Sequence, residues 1–316
     1  MFDTDERYAF WVSVLVYTTL SGFGSLFIIL DTLRKSSHRN NFNARLILYL
    51  ATADFCLSFI CLAFCAFNLH HGVVQENSLA CIIQPVITWY FMEASILWLT
   101  TIAVHSALLI FINYSFSSRM EIIANCICWG LPIITTTIPL GTNTGEHYGD
   151  RSGLWCSFSA SDKSAQAANI LSYYIPCLVI IALCYIGIAY KAYTTYVSNE
   201  VTGNSKREVH GIVKRLFCYV FCYFLVWTPL VICYIYEQIT LLFVAFWAEY
   251  ISANLLHIQG IINLIVYYLL NKKGIFSCMD KQTETRTPTK LSEVSPPGSS
   301  TDLNCEMTLM SILSEQ

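Results

Sequence analysis

Charge is what this chain has least of. Asp, Glu, Lys and Arg together make up 12% of its 316 residues, about half the share of an ordinary soluble domain. Hydrophobic residues make up 55%, and the mean hydropathy is +0.52. That excludes a soluble globular protein of usual surface. A basic start is also missing, because Asp3, Asp5 and Glu6 stand before the first apolar run. A cleavable secretory signal needs a basic head and a small-residue cut site, so the first run reads as an uncleaved anchor. No internal repeat is present, and no large cysteine-rich segment lies outside the apolar runs.

What the chain does have is seven apolar runs: Ala9–Leu30, Leu46–Leu69, Cys81–Ile112, Ile122–Gly141, Ala165–Tyr190, Leu216–Tyr236 and Tyr250–Leu270. Each is long enough to span the roughly 30 Å of bilayer hydrocarbon. Unpaired backbone groups are too costly in lipid for runs of this length to be anything but helices. The expected fold is an all-α membrane protein, a bundle of seven transmembrane helices. Asp54, Glu93, His105 and His257 are the polar interruptions in runs two, three and seven.

Basic residues sort by side. Fifteen Lys and Arg fall after runs one, three, five and seven or before run two, and only Arg7, Arg151 and Lys163 fall on the other side. The positive-inside rule then puts the N-terminus outside and the C-terminus in the cytosol. The organisation expected is a short extracellular head at 1–8, the seven-helix domain at 9–276 and a cytosolic tail at 277–316. That tail holds 13 Ser and Thr in 40 residues and few large apolar groups, a composition of disorder. In this topology the sequon Asn113-Tyr114-Ser115 faces the cytosol and stays unglycosylated.

Fourteen cysteines are present. Most lie inside the runs as small apolar packing residues, and Cys278 and Cys305 are cytosolic. Cys81 and Cys156, the latter in the outer loop Asn143–Lys163, sit in oxidising space and are expected to pair, pinning that loop over the mouth of the bundle.

Several ordered motifs sharpen the class. Run two carries Leu50-Ala51-Thr52-Ala53-Asp54, an L-x-x-A-D pattern seen in G-protein-coupled receptors. Run three holds Cys81-Ile82-Ile83-Gln84 and Ser95-Ile96-Leu97-Trp98-Leu99-Thr100-Thr101-Ile102-Ala103. Trp129-Gly130-Leu131-Pro132 marks run four, and Trp155-Cys156 the outer loop. Run seven has Gln259-Gly260-Ile261-Ile262-Asn263 and then Tyr267. Over runs two to seven the set resembles the cyclic-AMP-receptor-like receptors of slime moulds and plants with their animal relatives, and more distantly the secretin-like bundle. Two departures argue against the rhodopsin-like class. Ile112-Asn113-Tyr114-Ser115 stands where an acidic-Arg-Tyr triplet would end helix three, and Leu264 replaces a proline after Asn263.

The resemblance implies a polar network of Asp54 with Asn263 that rearranges on activation, with Tyr267 below it. A buried structural Asp is the alternative reading of an intramembrane carboxylate. The resemblance also implies that Trp227, beside Pro229 in Trp227-Thr228-Pro229, works a hinge in helix six, since proline removes a backbone bond and bends the helix. Pro176 reads the same way in helix five. Glu93 and His257 either line a ligand pocket between helices or bond to a neighbouring helix.

Lys206, Arg207, Lys214 and Arg215 precede helix six, where they meet either an acidic G-protein surface or anionic lipid. Thr287-Pro288 and Ser295-Pro296 in the tail suit proline-directed kinases and arrestin-like docking. Cys278 is a palmitoylation candidate.

The function expected is a plasma-membrane receptor, not an enzyme, needing no cofactor and partnered by a heterotrimeric G protein and the lipid bilayer. A seven-helix carrier or an intramembrane hydrolase is the alternative. A retinal Schiff base needs a lysine within helix seven, and Lys272 and Lys273 come only after it. Cyclic AMP is disfavoured as the ligand, because a phosphate wants Arg or Lys and the outer half offers only Arg7, Arg151 and Lys163.

Overall fold

Asp3 and Glu6 start the first helix earlier than the apolar run alone suggests. Glu6 N–H donates to Asp3 Oδ1 at 2.7 Å and Asp3 N–H to Glu6 Oε2 at 3.1 Å, a capping box that satisfies free donors of the first turn. The computed structural model describes residues 3–35, 42–72, 74, 78–112, 114, 117–142, 148–151, 153–158, 170–197, 223–240, 242 and 244–271. The elements are α1 (Thr4–Arg34), α2 (Phe42–His71), α3 (Leu79–Ile112), α4 (Ser118–Thr142), β1 (Tyr148–Arg151), β2 (Trp155–Phe158), α5 (Ile175–Val197), α6 (residues 223–240), α7 (Phe246–His257) and α8 (Gln259–Asn271). A π-helical turn, Ile170–Tyr174, leads into α5, so Pro176 lies at the seam between the two helical forms.

Among the described residues, α1 to α5 are each long and apolar enough to cross a membrane, and α7 and α8 are long and apolar enough only when taken together across their bend. Helix α6 supplies the remaining member and runs through Pro229 without a break. Large apolar side chains such as Phe23, Leu183 and Ile186 are about two-thirds exposed, at 68%, 64% and 66%, as lipid-facing groups should be. Trp98, Ile96, Trp227 and Leu46 form the dry interior. Helix α3 is the hub and packs on α2, α4, α5 and both strands.

The seventh run is not one helix. It is broken at Ile258, where α7 and α8 meet at 42°. The cause lies in α1. Gly260 N–H donates to Ser21 Oγ at 2.8 Å, so a side chain of another helix takes the donor, one of the recognised causes of a kink. A Cβ on Gly24 would lie 2.9 Å from Gly260 O, and one on Gly260 would collide with the Ser21 backbone. Two glycines therefore let α1 and α8 cross backbone to backbone.

The outer loop contains a hairpin that apolar patterning did not anticipate. β1 and β2 pair antiparallel from Tyr148↔Phe158 to Arg151↔Trp155, and Gly153 takes the left-handed conformation of the turn at φ 81°, which favours glycine. A Cys81–Cys156 disulfide, with Cα atoms 5.2 Å apart, ties β2 to the first turn of α3.

Candidate functional site

Three anchors hold the hairpin over the bundle. Besides the disulfide, Trp11 Nε1 donates to Leu154 O at 2.6 Å and Trp89 Nε1 to Ser157 Oγ at 3.3 Å. Beneath it lies a cleft bounded by α1, α2, α3, α6, α7 and β2, with walls that include Phe10, Trp89, Trp155, Tyr234 and His257. His257 meets the Trp155 ring edge-on at 6.4 Å.

Glu93 is not part of that cleft, contrary to one of the two placements open from sequence. It is fully buried, and its carboxylate accepts from Thr135 Oγ1 of α4. Twelve residues at 3.6 per turn rotate it about 120° around α3 from Cys81, away from the cleft and toward α4.

Deeper, four helices share one polar cluster. Asp54 Oδ1 accepts from Ser95 Oγ at 2.8 Å and Gln259 Nε2 at 3.0 Å, and Asp54 Oδ2 from Asn263 Nδ2 at 2.6 Å. Gln259 Nε2 also reaches Ser95 Oγ at 2.8 Å. Ser21 of α1 joins from the other side through Gly260. Every member is buried, which makes these bonds expensive to leave unmade. Asp54 and Asn263 were singled out from sequence, whereas Ser95 and Gln259 stood there only as parts of motifs.

Trp227 borders a small cavity beside this cluster. Its ring is fully buried, packs on Tyr174 at 5.3 Å and Tyr223 at 6.1 Å, and lines a small cavity together with Gln259 and Asn263. Below, Tyr267 Oη donates to Asp31 Oδ2 at 2.7 Å.

The start of α2 and the start of α4 carry a tie that sequence reading missed. Arg45 Nε and a terminal guanidinium nitrogen each reach a Glu121 carboxylate oxygen at 2.7 Å, and Tyr49 Oη donates to Glu121 at 3.0 Å. Next to it His105 of α3 meets the Phe42 ring at a tilt, with centroids 5.0 Å apart. Seventy-six residues separate Arg45 from Glu121, and no local pattern links them. Lys206, Arg207, Lys214, Arg215, Cys278, Thr287 and Ser295 lie outside the described residues.

The profile of the seven transmembrane receptor (rhodopsin family) matches residues 24–267. The chain belongs to this family. This rhodopsin-family receptor is 26% identical over 199 residues to "G-protein coupled receptor 1" of Arabidopsis thaliana, covering 63% of its own length and 54% of the relative. It is 24% identical over 210 residues to "Cyclic AMP receptor 1" of Dictyostelium discoideum, covering 64% and 50%. It therefore spans about half the length of these relatives. Its fold matches the crystal structure of squid rhodopsin at a TM-score of 0.69 with 15% identity, over 95% of this chain and 90% of that one.

Membership corrects two expectations. The chain is rhodopsin-like despite lacking the triplet and the proline, and a secretin-like kinship finds no support. Arg45 of α2 is bound to Glu121 of α4, and the seventh span breaks at Ile258 without a proline. A family of receptors also sets aside the carrier and hydrolase alternatives.

Proposed function

We propose that this receptor resides in the plasma membrane with its N-terminus outside and passes an external signal to a heterotrimeric G protein. The observation that carries this reading is the small cavity that Trp227 lines together with Gln259 and Asn263, two partners of Asp54. Leu230 and Tyr234 line the outer cleft, and Trp227 stands three and seven residues before them on one face of α6. A ligand that displaces that face shifts Trp227 against the cluster, and the coupling is a free energy between two sites. The orientation rests on the sorting of 15 basic residues against three.

On the inner side, Lys206, Arg207, Lys214 and Arg215 offer a basic surface to the G protein. Thr287 and Ser295 are the sites for kinases and for arrestin-like proteins, and Cys278 is the site for a palmitoyl anchor. The names of the relatives support a receptor role. The cyclic AMP in one of those names does not transfer, because the described residues of the cleft lining include no Arg or Lys.

The deciding experiment is G-protein dissociation in cells, run for each α class with the unaltered chain and with Asp54→Ala and Trp227→Ala at matched surface levels. A signal above background that the variants change supports the reading. Silence in every α class, with the protein shown at the surface and a cleft-binding probe present, counts against it.

A further inference from the structure

The outer cleft has an unusual charge balance for a place where a signal would enter. Among the described residues its lining includes no Asp, Glu, Lys or Arg. The nearest intramembrane carboxylate on α3, Glu93, is turned away and bound by Thr135 of α4. An ammonium group enclosed there would find no carboxylate, and a phosphate or carboxylate would find no guanidinium or ammonium. Enclosed charges without partners are strongly disfavoured.

Three polar atoms in the same lining, Thr88 Oγ1, Trp155 Nε1 and His257 Nε2, have no hydrogen-bond partner among the described residues. Trp155 Nε1 and His257 Nε2 are both buried and make no hydrogen bond, although the two rings stand only 6.4 Å apart. The other tryptophans around the hairpin differ. Trp11 and Trp89 both spend their indole N–H on the hairpin itself. Buried donors are satisfied in the great majority of cases, so an orphan indole N–H beside an orphan imidazole nitrogen points to a group that arrives from outside. The remaining walls include the faces and edges of Phe10, Trp89 and Tyr234, which suit a flat apolar body.

Resting on the receptor reading above, we infer that the cleft takes a small uncharged molecule with a flat apolar body and a hydrogen-bond acceptor for the Trp155 indole N–H, within reach of His257. Specificity then comes from these two side chains, and the absence of lining charge rejects amines, carboxylates and phosphates alike. A polar ligand group that satisfies both orphans discriminates more sharply than apolar contact, because its loss leaves buried groups unpaired.

The test uses the full chain in lipid nanodiscs and ring-matched probes: benzamide, benzoate and benzylammonium, then the corresponding 2-naphthyl set. Binding is read by ligand-observed NMR and by the shift of the unfolding midpoint. At least one amide should bind at least tenfold more tightly than its charged counterparts. Trp155→Phe, which keeps a ring but removes the donor, should weaken that amide by about threefold to tenfold, the worth of one hydrogen bond. His257→Phe should weaken it by a similar factor. Equal or tighter binding of the charged probes overturns the inference, as does failure of every amide, or indifference to both variants. Basal G-protein dissociation is recorded in parallel on the unaltered chain. If it persists while the amides fail, the ligand class is wrong and the receptor reading stands.

Discussion

The Tyr267 hydroxyl donates to Asp31 Oδ2 at 2.7 Å, and Lys35 Nζ reaches the same oxygen at 2.8 Å. One carboxylate oxygen of α1 thus holds the C-terminal half of α8. Tyr267 is buried, so its bond to a charged acceptor is worth about 1.5–3 kcal/mol, more than a neutral pair. Lys35 is well exposed and contributes little. Tyr267→Phe and Asp31→Ala should each lower the unfolding midpoint, and the double variant should cost less than their sum. Additive losses in a double-mutant cycle would remove the tie. Lys35→Ala should be nearly silent.

Gly260 offers a sharper steric test. Its Cβ would strike the Ser21 backbone, whereas a Cβ on Gly130 meets nothing within 4 Å. Gly260→Ala should cost more than about 2 kcal/mol or abolish folding, by overpacking a backbone crossing that cannot yield. Gly130→Ala, inside α4, should be neutral or stabilise by about 0.5–1 kcal/mol. Thermal unfolding of the two variants side by side decides it, and a harmless Gly260→Ala would mean that α1 and α8 do not cross as closely as described.

Arg45 and Glu121 should behave as a geometric pair and not only as two opposite charges. Both guanidinium contacts measure 2.7 Å, and the side chains are 27% and 14% exposed. Lysine keeps the charge but cannot make the fork. Arg45→Lys should therefore lower the unfolding midpoint nearly as far as Arg45→Met. If lysine restores full stability, the pair works by charge alone. Glu121→Gln should also free Tyr49, which shares the carboxylate.

What could be read from sequence follows the range of each interaction. Apolar runs are local, so the helices were legible, and the redox compartment singled out Cys81 and Cys156. Asp54 and Asn263 stood out because polar groups are rare in such runs. The break at Ile258 was not legible, because Tyr250–Leu270 holds no proline to mark a bend and its kink is imposed by Ser21, 239 positions away from Gly260. The direction of Glu93 depends on Thr135 of α4, and the Arg45–Glu121 tie on the approach of two helices. The hairpin was hidden in a loop too short and too polar for an apolar pattern to mark it.

Asp54 is the residue whose replacement separates its possible roles. It accepts from three donors, two on Oδ1 and one on Oδ2. Alanine would leave Ser95, Gln259 and Asn263 facing a buried gap, at about 1–3 kcal/mol for each donor not recaptured. Asparagine is different. Its oxygen can take the Ser95 and Gln259 bonds, but its NH2 would then face the Asn263 NH2 at the 2.6 Å contact. Turning over the Asn263 amide replaces that clash with a good bond. Asp54→Asn should thus keep most of the stability that Asp54→Ala loses. Adding Asn263→Asp should restore the pair with its roles exchanged. If G-protein dissociation follows stability through this series, Asp54 acts as a structural clamp. If Asp54→Asn folds like the unaltered chain yet changes dissociation, the carboxylate itself takes part in switching.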